Sequence, residues 1–341
     1  MDIPVDRYLE YALNISPREA ALISLFKDWL PEQIIDCHAH CNTRDHVLGM
    51  GGKSYNHMLS TFPFYSLEDS ARVHQLLYPG KNVRALRFPK TFNGVEHRVA
   101  NEYLLSKSPA TDRVAIFGLP EDIEYTIRML SNPRCSALKM YYSYVDPNAE
   151  LIYECFPKPV LEATQDLDIP IVLHLPRMIV RSIRDLLTML ADFPRLRVSI
   201  AHLGLSKMLV PGLREAYEAL VPFGRVSLDT ALNTSPDVVH LALELFGDQR
   251  VMFGSDEPLH LIRSVVYEHP ELGQRLATAY PYHWVNPDEY REYGHLAKNV
   301  VHAHWQSLGA IKEAVERFPV AIRGDMKSRI FHDNAAEFFG F

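Results

Sequence analysis

Eight short apolar or β-branched runs punctuate the chain, near residues 34–35, 83–86, 114–117, 137–140, 171–173, 198–200, 226–228 and 251–253. Runs of this length, bounded by polar and turn-forming residues, read as strands. Between most of them apolar positions recur at helical spacing. Ile183, Leu186, Leu187 and Leu190 mark one amphipathic helix, and Leu213, Ala216, Tyr217 and Leu220 another. A third opens with Ser235 as N-cap, followed by Pro236 and by Asp237 at the positive end of the dipole, and stops at Gly247. Ahead of the first strand, Ser16, Pro17 and Glu19 spell a capping-box start. Leu22, Leu25, Phe26 and Trp29 then give one apolar face, and Pro31 ends the helix.

Eight strands alternating with helices predict an α/β fold in which a parallel sheet closes on itself, a (βα)8 TIM barrel with an N-terminal helical segment. An open doubly wound sheet would need fewer strands and a glycine-rich phosphate turn, which this chain lacks. One domain is expected over residues 1–341, with the strands inside 33–256 and a C-terminal insertion and helices over 257–341. Two long insertions break the rhythm, after strands 1 and 8. Residues 41–65 carry GMGGKSYNHM and TFPFY, and residues 259–309 carry the aromatic run Tyr280-Pro281-Tyr282-His283-Trp284. Both would rise from strand C-terminal ends, where barrels build their sites, as a lid or an oligomer interface. The terminal IFHDNAAEFFGF should pack its aromatics back on the body.

Composition narrows the functional classes. Hydrophobic content of 47% and charged content of 23% are those of a globular protein, and a formal net charge of −7 argues against nucleic acid or an anionic membrane as partner. No apolar run approaches the ~18 residues that span a bilayer, and the N-terminus lacks a signal-peptide core. Four cysteines in 341 residues make no disulfide framework, so a reducing cytoplasm is the expected location.

The first strand exits through IIDCHAHC. Strand alternation puts His38 and His40 on one face, about 6.6 Å apart along the chain. The same alternation sends Cys37 and Cys41 to the other face, so CHAHC is no four-ligand zinc cluster. Four more polar residues stand just past the apolar body of a strand: Lys139 in ALKMYYS, His174 in PIVLHLP, His202 in VSIAHLG and Asp256 in VMFGSDEP. A packed barrel interior does not want them, and a ring of imidazole and carboxylate at one rim describes a catalytic divalent metal. His38, His40, His174 and Asp256 are the expected ligands, with His202 a further ligand or a catalytic imidazole. Arg177, three residues past His174, is expected to grip a substrate carboxylate, as is Arg87 near the end of the second strand. His302 and His304 repeat the His-x-His spelling but fall on an expected helix, where residues two apart diverge. Tyr141, Tyr142 and Tyr144 are expected to serve packing.

The set IIDCHAH, PIVLH, AHLG, FGSDEP and HDNAAEFFGF resembles the amidohydrolase superfamily, and more closely its amidohydrolase-2 branch, typified by aminocarboxymuconate-semialdehyde decarboxylase. The resemblance covers about residues 33–340. It implies that His38, His40, His174 and Asp256 hold a single Zn²⁺ or similar divalent ion per chain, with His202 catalytic. Glu257 departs from the pattern, since many relatives carry an aromatic before the proline. Lys139 matches the position of the carboxylated, metal-bridging lysine of binuclear amidohydrolases such as dihydroorotase. The closer branch is usually mononuclear, which favours a plain ammonium facing an anionic substrate.

The expected activity is metal-dependent hydrolysis of a small cyclic or aromatic, anionic amide or lactone through a metal-activated water. Asp256 would be the proton shuttle, His202 the oxyanion partner, and Lys139, Arg177 and Arg87 the substrate-binding cations. Non-oxidative decarboxylation of an aromatic or unsaturated acid is the alternative chemistry. A barrel that only binds a ligand would be missing a site residue, and a phosphoesterase of the TatD type would carry glutamate at position 139.

Overall fold

The computed structural model describes residues 8–47, 64–91, 94–141, 148–271, 273–278, 287–298 and 300–341. The GMGGKSYNHM segment, the aromatic run at 280–284, Tyr142 and Tyr144 lie outside them. Strands β1 (Gln33–His40), β2 (Asn82–Phe88), β3 (Arg113–Phe117), β4 (Cys135–Met140), β5 (Ile171–Leu173), β6 (Val198–Ile200), β7 (Val226–Asp229) and β8 (Val251–Met252) pair in parallel in that order. The last strand meets the first through backbone hydrogen bonds. The Cys37 amide donates to the Phe253 carbonyl at 3.0 Å, Glu257 to His38 at 3.2 Å, and His40 to Glu257 at 2.7 Å. Each of the eight apolar runs is a barrel strand, as expected.

The helices follow their sequence signals. Helix α1 (Tyr8–Leu13) precedes α2 (Pro17–Trp29), which has both halves of its capping box: Ser16 Oγ accepts from the Glu19 amide and Glu19 accepts from the Ser16 amide. The face assignment on α2 is only partly right. Phe26 is buried, but Leu25 is 54% exposed and Glu19 is fully buried. Glu19 buries because its carboxylate also takes the Arg263 guanidinium, at 3.1 and 3.0 Å. Barrel helices α3 (Leu67–Leu77), α4 (His97–Lys107) and α5 (Ile123–Leu130) follow the first three strands. Then come α6 (Ile152–Cys155) and α7 (Lys158–Asp166) after β4, α8 (Ile179–Asp192) after β5, α9 (Leu213–Leu220) after β6 and α10 (Pro236–Phe246) after β7. Ser235 Oγ caps α10, and Gly247 ends it at φ +70°, a region open to glycine.

Two hydrophobic layers result. One fills the space between strands and helices. The other lies inside the barrel and is built from Ile35, Cys37, Leu86, Phe88, Ala115, Ala137, Val172 and Met252. Its floor is the C-terminal helix (Asn334–Phe339), whose Ala335 and Phe339 join this inner layer. Arg113 and Arg197, at the starts of β3 and β6, hold the Gly340 and Phe338 carbonyls at 2.6 and 2.7 Å, which fixes the plug at the N-terminal end of the barrel. The terminal aromatics therefore pack back on the body.

Inside β1 the pairing with β2 slips. Asp36 faces Ala85, but Ala39 faces Arg87, so three steps on one strand match two on the other. This extra residue corrects the strict alternation expected of CHAHC. Cys37 turns into the barrel, while Cys41 belongs to the outer layer. A bulge re-aims side chains in this way, and bulges gather next to sites.

The insertion after β8 forms its own antiparallel sheet, with β9 (Arg263–His269) between β10 (Gly273–Thr278) and β11 (Val301–His302). Arg263 ties it to the N-terminal helices through Glu19 and through the Tyr11 and Asn14 carbonyls. His302 ends β11 and His304 lies in the following helix, Ala303–Glu316; both are buried. No helix among the described residues is long and apolar enough to cross a membrane.

Candidate active site

Each imidazole at the mouth is held by its Nδ1. His38 Nδ1 lies 2.9 Å from Asp229 Oδ2, His40 Nδ1 2.9 Å from the Pro89 carbonyl, His174 Nδ1 3.0 Å from the Leu175 carbonyl, and His202 Nδ1 2.9 Å from the Ala231 carbonyl. Carbonyl and carboxylate oxygens only accept, so in every case the proton belongs on Nδ1, and Nε2 is the nitrogen left to act as a ligand. The rings crowd together. Centroids of His38 and His202 are 4.8 Å apart, those of His38 and His40 5.6 Å, and those of His174 and His202 5.2 Å.

Asp256 enters this group from the turn after β8. Its Oδ1 lies 3.3 Å from His40 Nε2 and 3.6 Å from His38 Nε2. The ligand atoms of His38, His40 and Asp256 all fall within 4.8 Å of one another; His174 stands outside that radius, beside His202 and under the Tyr141 ring at 4.2 Å. The backbone delivers Asp256 at φ +62°, uncommon for a residue with a Cβ. Two residues earlier, a Cβ on Gly254 would meet the His38 Cβ at 2.8 Å, so glycine is required where β8 passes the His-x-His strand.

Burial pushes the His38, His40 and His174 imidazoles toward the neutral form, with Lys139 acting in the same direction. Burial works against ionisation of Asp256 as well, but the surrounding histidines, His40 first through its hydrogen bond, reverse this and hold the carboxyl below its usual range. With its Nδ1–H already donated to Pro89, His40 can bridge to the Asp256 carboxylate only with a second proton on Nε2, and burial opposes that extra charge. A divalent cation resolves that, and nitrogen plus carboxylate is the donor set such ions take. His38, His40 and Asp256, with His174 adjacent, fit one ion.

Lys139 lies inside the barrel, 1% exposed, with its Nζ 5.1 Å from the Phe88 ring centroid and no hydrogen-bond partner among the described residues. Burial brings its pKa down to about 8 against the pull of Asp229 and Asp256. Arg177 pairs with Glu150 at 2.9 Å on the rim, and Glu150 also takes Arg181. Arg87 overturns the substrate-binding expectation. Its neighbour Phe88 faces inward against His38 and His40, so Arg87 points through the outer wall. There its guanidinium is committed to Asp112 at 2.9 Å, Ser70 at 2.6 Å and Glu257 at 2.9 Å.

Two residues escaped the sequence reading. Asp229, wholly buried at the end of β7, orients His38 and also accepts the His202 and Ala231 amides at 2.8 and 3.1 Å. Burial raises its pKa. The rule that found the others, a polar residue closing an apolar strand, applies equally to VSLD. Lys90, two residues past Phe88, is 1% exposed, with a pKa lowered to about 7 by burial, against the pull of Asp256.

Comparison with known proteins agrees with this geometry. The sequence profile described as amidohydrolase (Amidohydro_2) matches residues 35–341. No curated protein sequence matches the chain. Among solved structures, an amidohydrolase from Burkholderia multivorans with bound zinc is 14% identical, covers 91% of this chain and 99% of its own, and superposes with a TM-score of 0.58. A protein named as a 2-pyrone-4,6-dicarboxylic acid hydrolase from Pseudomonas putida is 15% identical over 91% of this chain and 98% of its own, with a TM-score of 0.56. The 5-carboxyvanillate decarboxylase of Novosphingobium aromaticivorans, complexed with manganese and a nitrobenzoic acid, is 14% identical over 91% and 96%, with a TM-score of 0.53. At these identities the structures speak for the shared barrel, and the profile, which runs through nearly the whole chain, speaks for kinship: this protein belongs to the amidohydrolase-2 family.

Proposed function

We propose that this chain is a metal-dependent hydrolase of a small cyclic or aromatic, anionic amide or lactone. The observation that carries the reading is the common orientation of the imidazoles, each with Nδ1 spent on a fixed acceptor, which leaves Nε2 as its ligand atom. His38, His40, His174 and Asp256 would hold one divalent ion, zinc or manganese by analogy with the solved relatives. When bound, the ion lowers the pKa of a water and polarises the scissile carbonyl.

The chain's own groups supply the remaining steps. Asp256, kept ionised by its histidines, accepts the proton of the attacking water at a carboxylate oxygen and returns it to the leaving group. His202 donates its Nδ1–H to the Ala231 carbonyl, so it can meet an oxyanion only through Nε2, and only when that nitrogen carries a proton too. Lys139 offers an unpaired ammonium to a substrate carboxylate, and Arg177 a second cation at the rim.

The test runs the reaction in ¹⁸O-labelled water with cyclic and aromatic acids, taking 2-pyrone-4,6-dicarboxylate and 5-carboxyvanillate as first probes because the solved relatives are named for them. Label in a newly formed carboxylate supports hydrolysis. Release of CO₂ with unlabelled product refutes it in favour of decarboxylation at the same residues. Asp256→Asn should lower turnover by roughly 10²–10⁴, the worth of a positioned acid–base group.

A further inference from the structure

Both chain neighbours of Asp256 are fastened to the outside of the barrel wall. Ser255 and Glu257 find their partners behind the wall, while Asp256 between them reaches His38 and His40. Ser255 is bound there by Asp36, whose Oδ1 accepts the Ser255 amide at 2.9 Å and the His38 amide at 3.0 Å and whose Oδ2 accepts the Ser255 hydroxyl. Glu257 is held more firmly. It is wholly buried. Its Oε1 accepts from the Tyr65 hydroxyl and from Ser70 Oγ at 2.9 Å, and its Oε2 accepts from Arg87 at 2.9 Å and from His74 Nε2 at 3.2 Å. Its backbone reaches the metal-facing strand itself, through the His38 carbonyl and the His40 amide.

Asp36, His74 and Glu257 place ligand atoms within 4.8 Å of one another, as an ion site would. Their oxygens are already filled by fixed donors, and Arg87 brings a positive charge into the group. This cluster is therefore a hydrogen-bonded anchor and no second ion site. What it anchors is a residue in the left-handed region at φ +62°, which a side chain with a Cβ leaves unless its surroundings hold it there.

We infer that Glu257 is a positioning residue for Asp256: clamped by Arg87, Tyr65, Ser70 and His74, it fixes the strained backbone that aims the Asp256 carboxylate into the barrel mouth. The inference rests on the reading of Asp256 as an ion-holding carboxylate, and the experiment separates the two. The full chain is stripped with chelator and loaded with Co²⁺, whose visible absorption and release rate to excess chelator report the geometry of its ligands independently of turnover. Four proteins are compared: the parent, Asp256→Asn, Glu257→Gln and Asp112→Asn. Asp112 holds the other side of the same guanidinium, at 2.9 Å, and the Ala85 amide at 3.1 Å; among the described residues its carboxylate makes no hydrogen bond to the 255–257 turn. Its variant therefore carries a comparable lesion in the wall without disturbing the aim of Asp256.

Glu257→Gln should shift the cobalt band and speed release about tenfold, while Asp112→Asn lowers the urea midpoint and leaves band and release as in the parent. If Glu257→Gln yields no folded protein, Tyr65→Phe and Ser70→Ala each remove one neutral donor, and should shift the band in the same direction by less. A cobalt band unchanged in the folded Glu257 variant, or in both substitutes, while Asp256→Asn changes it, overturns the positioning role and leaves the Asp256 reading intact. Asp256→Asn with parent-like band and release overturns that reading, and the inference with it.

Discussion

Replacing Asp229 by asparagine should weaken metal binding without loosening the fold. One carboxylate oxygen accepts two backbone amides, from His202 at 2.8 Å and Ala231 at 3.1 Å, and the other accepts His38 Nδ1–H at 2.9 Å. The two amides are donors that cannot turn away, so in Asp229→Asn they select the amide oxygen and the new NH₂ faces His38. To avoid two donors in opposition, His38 must accept at Nδ1 and carry its proton on Nε2, the nitrogen that points at Asp256. Three hydrogen bonds exist before and after, so the stability of the metal-free protein should change by less than about 1 kcal/mol. Affinity for Zn²⁺ or Co²⁺ should fall about 10–100-fold, the usual consequence of losing a histidine's outer partner. That fall is about 1.4–2.7 kcal/mol. Competition against a chromophoric chelator measures the affinity, urea unfolding of the chelated protein measures the stability, and ¹⁵N shifts of His38 report the tautomer. Asp229→Ala differs, because it leaves two buried amides without an acceptor at about 1–3 kcal/mol each. Parent-like affinity in the asparagine variant, with the His38 proton moved to Nε2, would falsify the claim that this nitrogen holds the ion.

Three further outcomes are expected. The purified protein should hold about one divalent ion per chain, and His38→Ala should lose most of it, more than the ~100-fold of an outer partner; full activity in a chelated, metal-free sample would defeat this. Lys139→Met should keep the ion, weaken anionic substrates and stabilise the metal-free protein, because an ammonium brought down to about 8 is held charged at pH 7 at a cost of about 3 kcal/mol. Loss of a second metal equivalent in that variant would instead reveal a carboxylated lysine. The metal-free protein should also lose stability as pH falls from 6.5 toward 4. Burial depresses His260 to about 3 and His302 to about 4, so the unfolded chain binds these protons first, at about 1.4 kcal/mol per pH unit for each. Asp36, raised to about 7, and Asp229, also raised by burial, oppose this. The depressed His38, His40, His174 and His304 add to the loss, so a flat stability profile across that range would contradict the burial assigned to these histidines.

The barrel was legible because its signals are local. Short apolar runs, the Ser16 and Ser235 caps and the Gly247 stop each act within a few residues, and all reappear in the structure. The sheet of the β8 insertion was not legible. Its strands Arg263–His269 and Gly273–Thr278 carry arginine, glutamine, glutamate and histidine at positions a buried strand would make apolar. Leu25 misled for the related reason that periodicity gives a face but not its partner. Arg263 of the distant insertion turned the Glu19 side of α2 inward and left Leu25 in solvent.

At the site, the expected residues that the structure gathers at the mouth are those whose chemistry is out of place at a strand end, and the departures came from deciding which way a side chain points. Period two is reliable only while the register holds. In β1 Cys37 keeps the inward phase of Ile35, and the one extra residue between Asp36 and Ala39 then lets His38 and His40 face the mouth as well. Arg87 went wrong by the same measure: one position from Phe88, it lies on the opposite side of the wall. A cation at a strand end is as well suited to grip a neighbouring carboxylate from behind as a substrate from in front, and composition cannot tell these apart. Its partner could. Glu257 is a second acidic residue directly after Asp256, and two buried carboxylates side by side each need a partner of their own. One of them therefore needed a buried cation on the far side of the wall, and Arg87 is that cation.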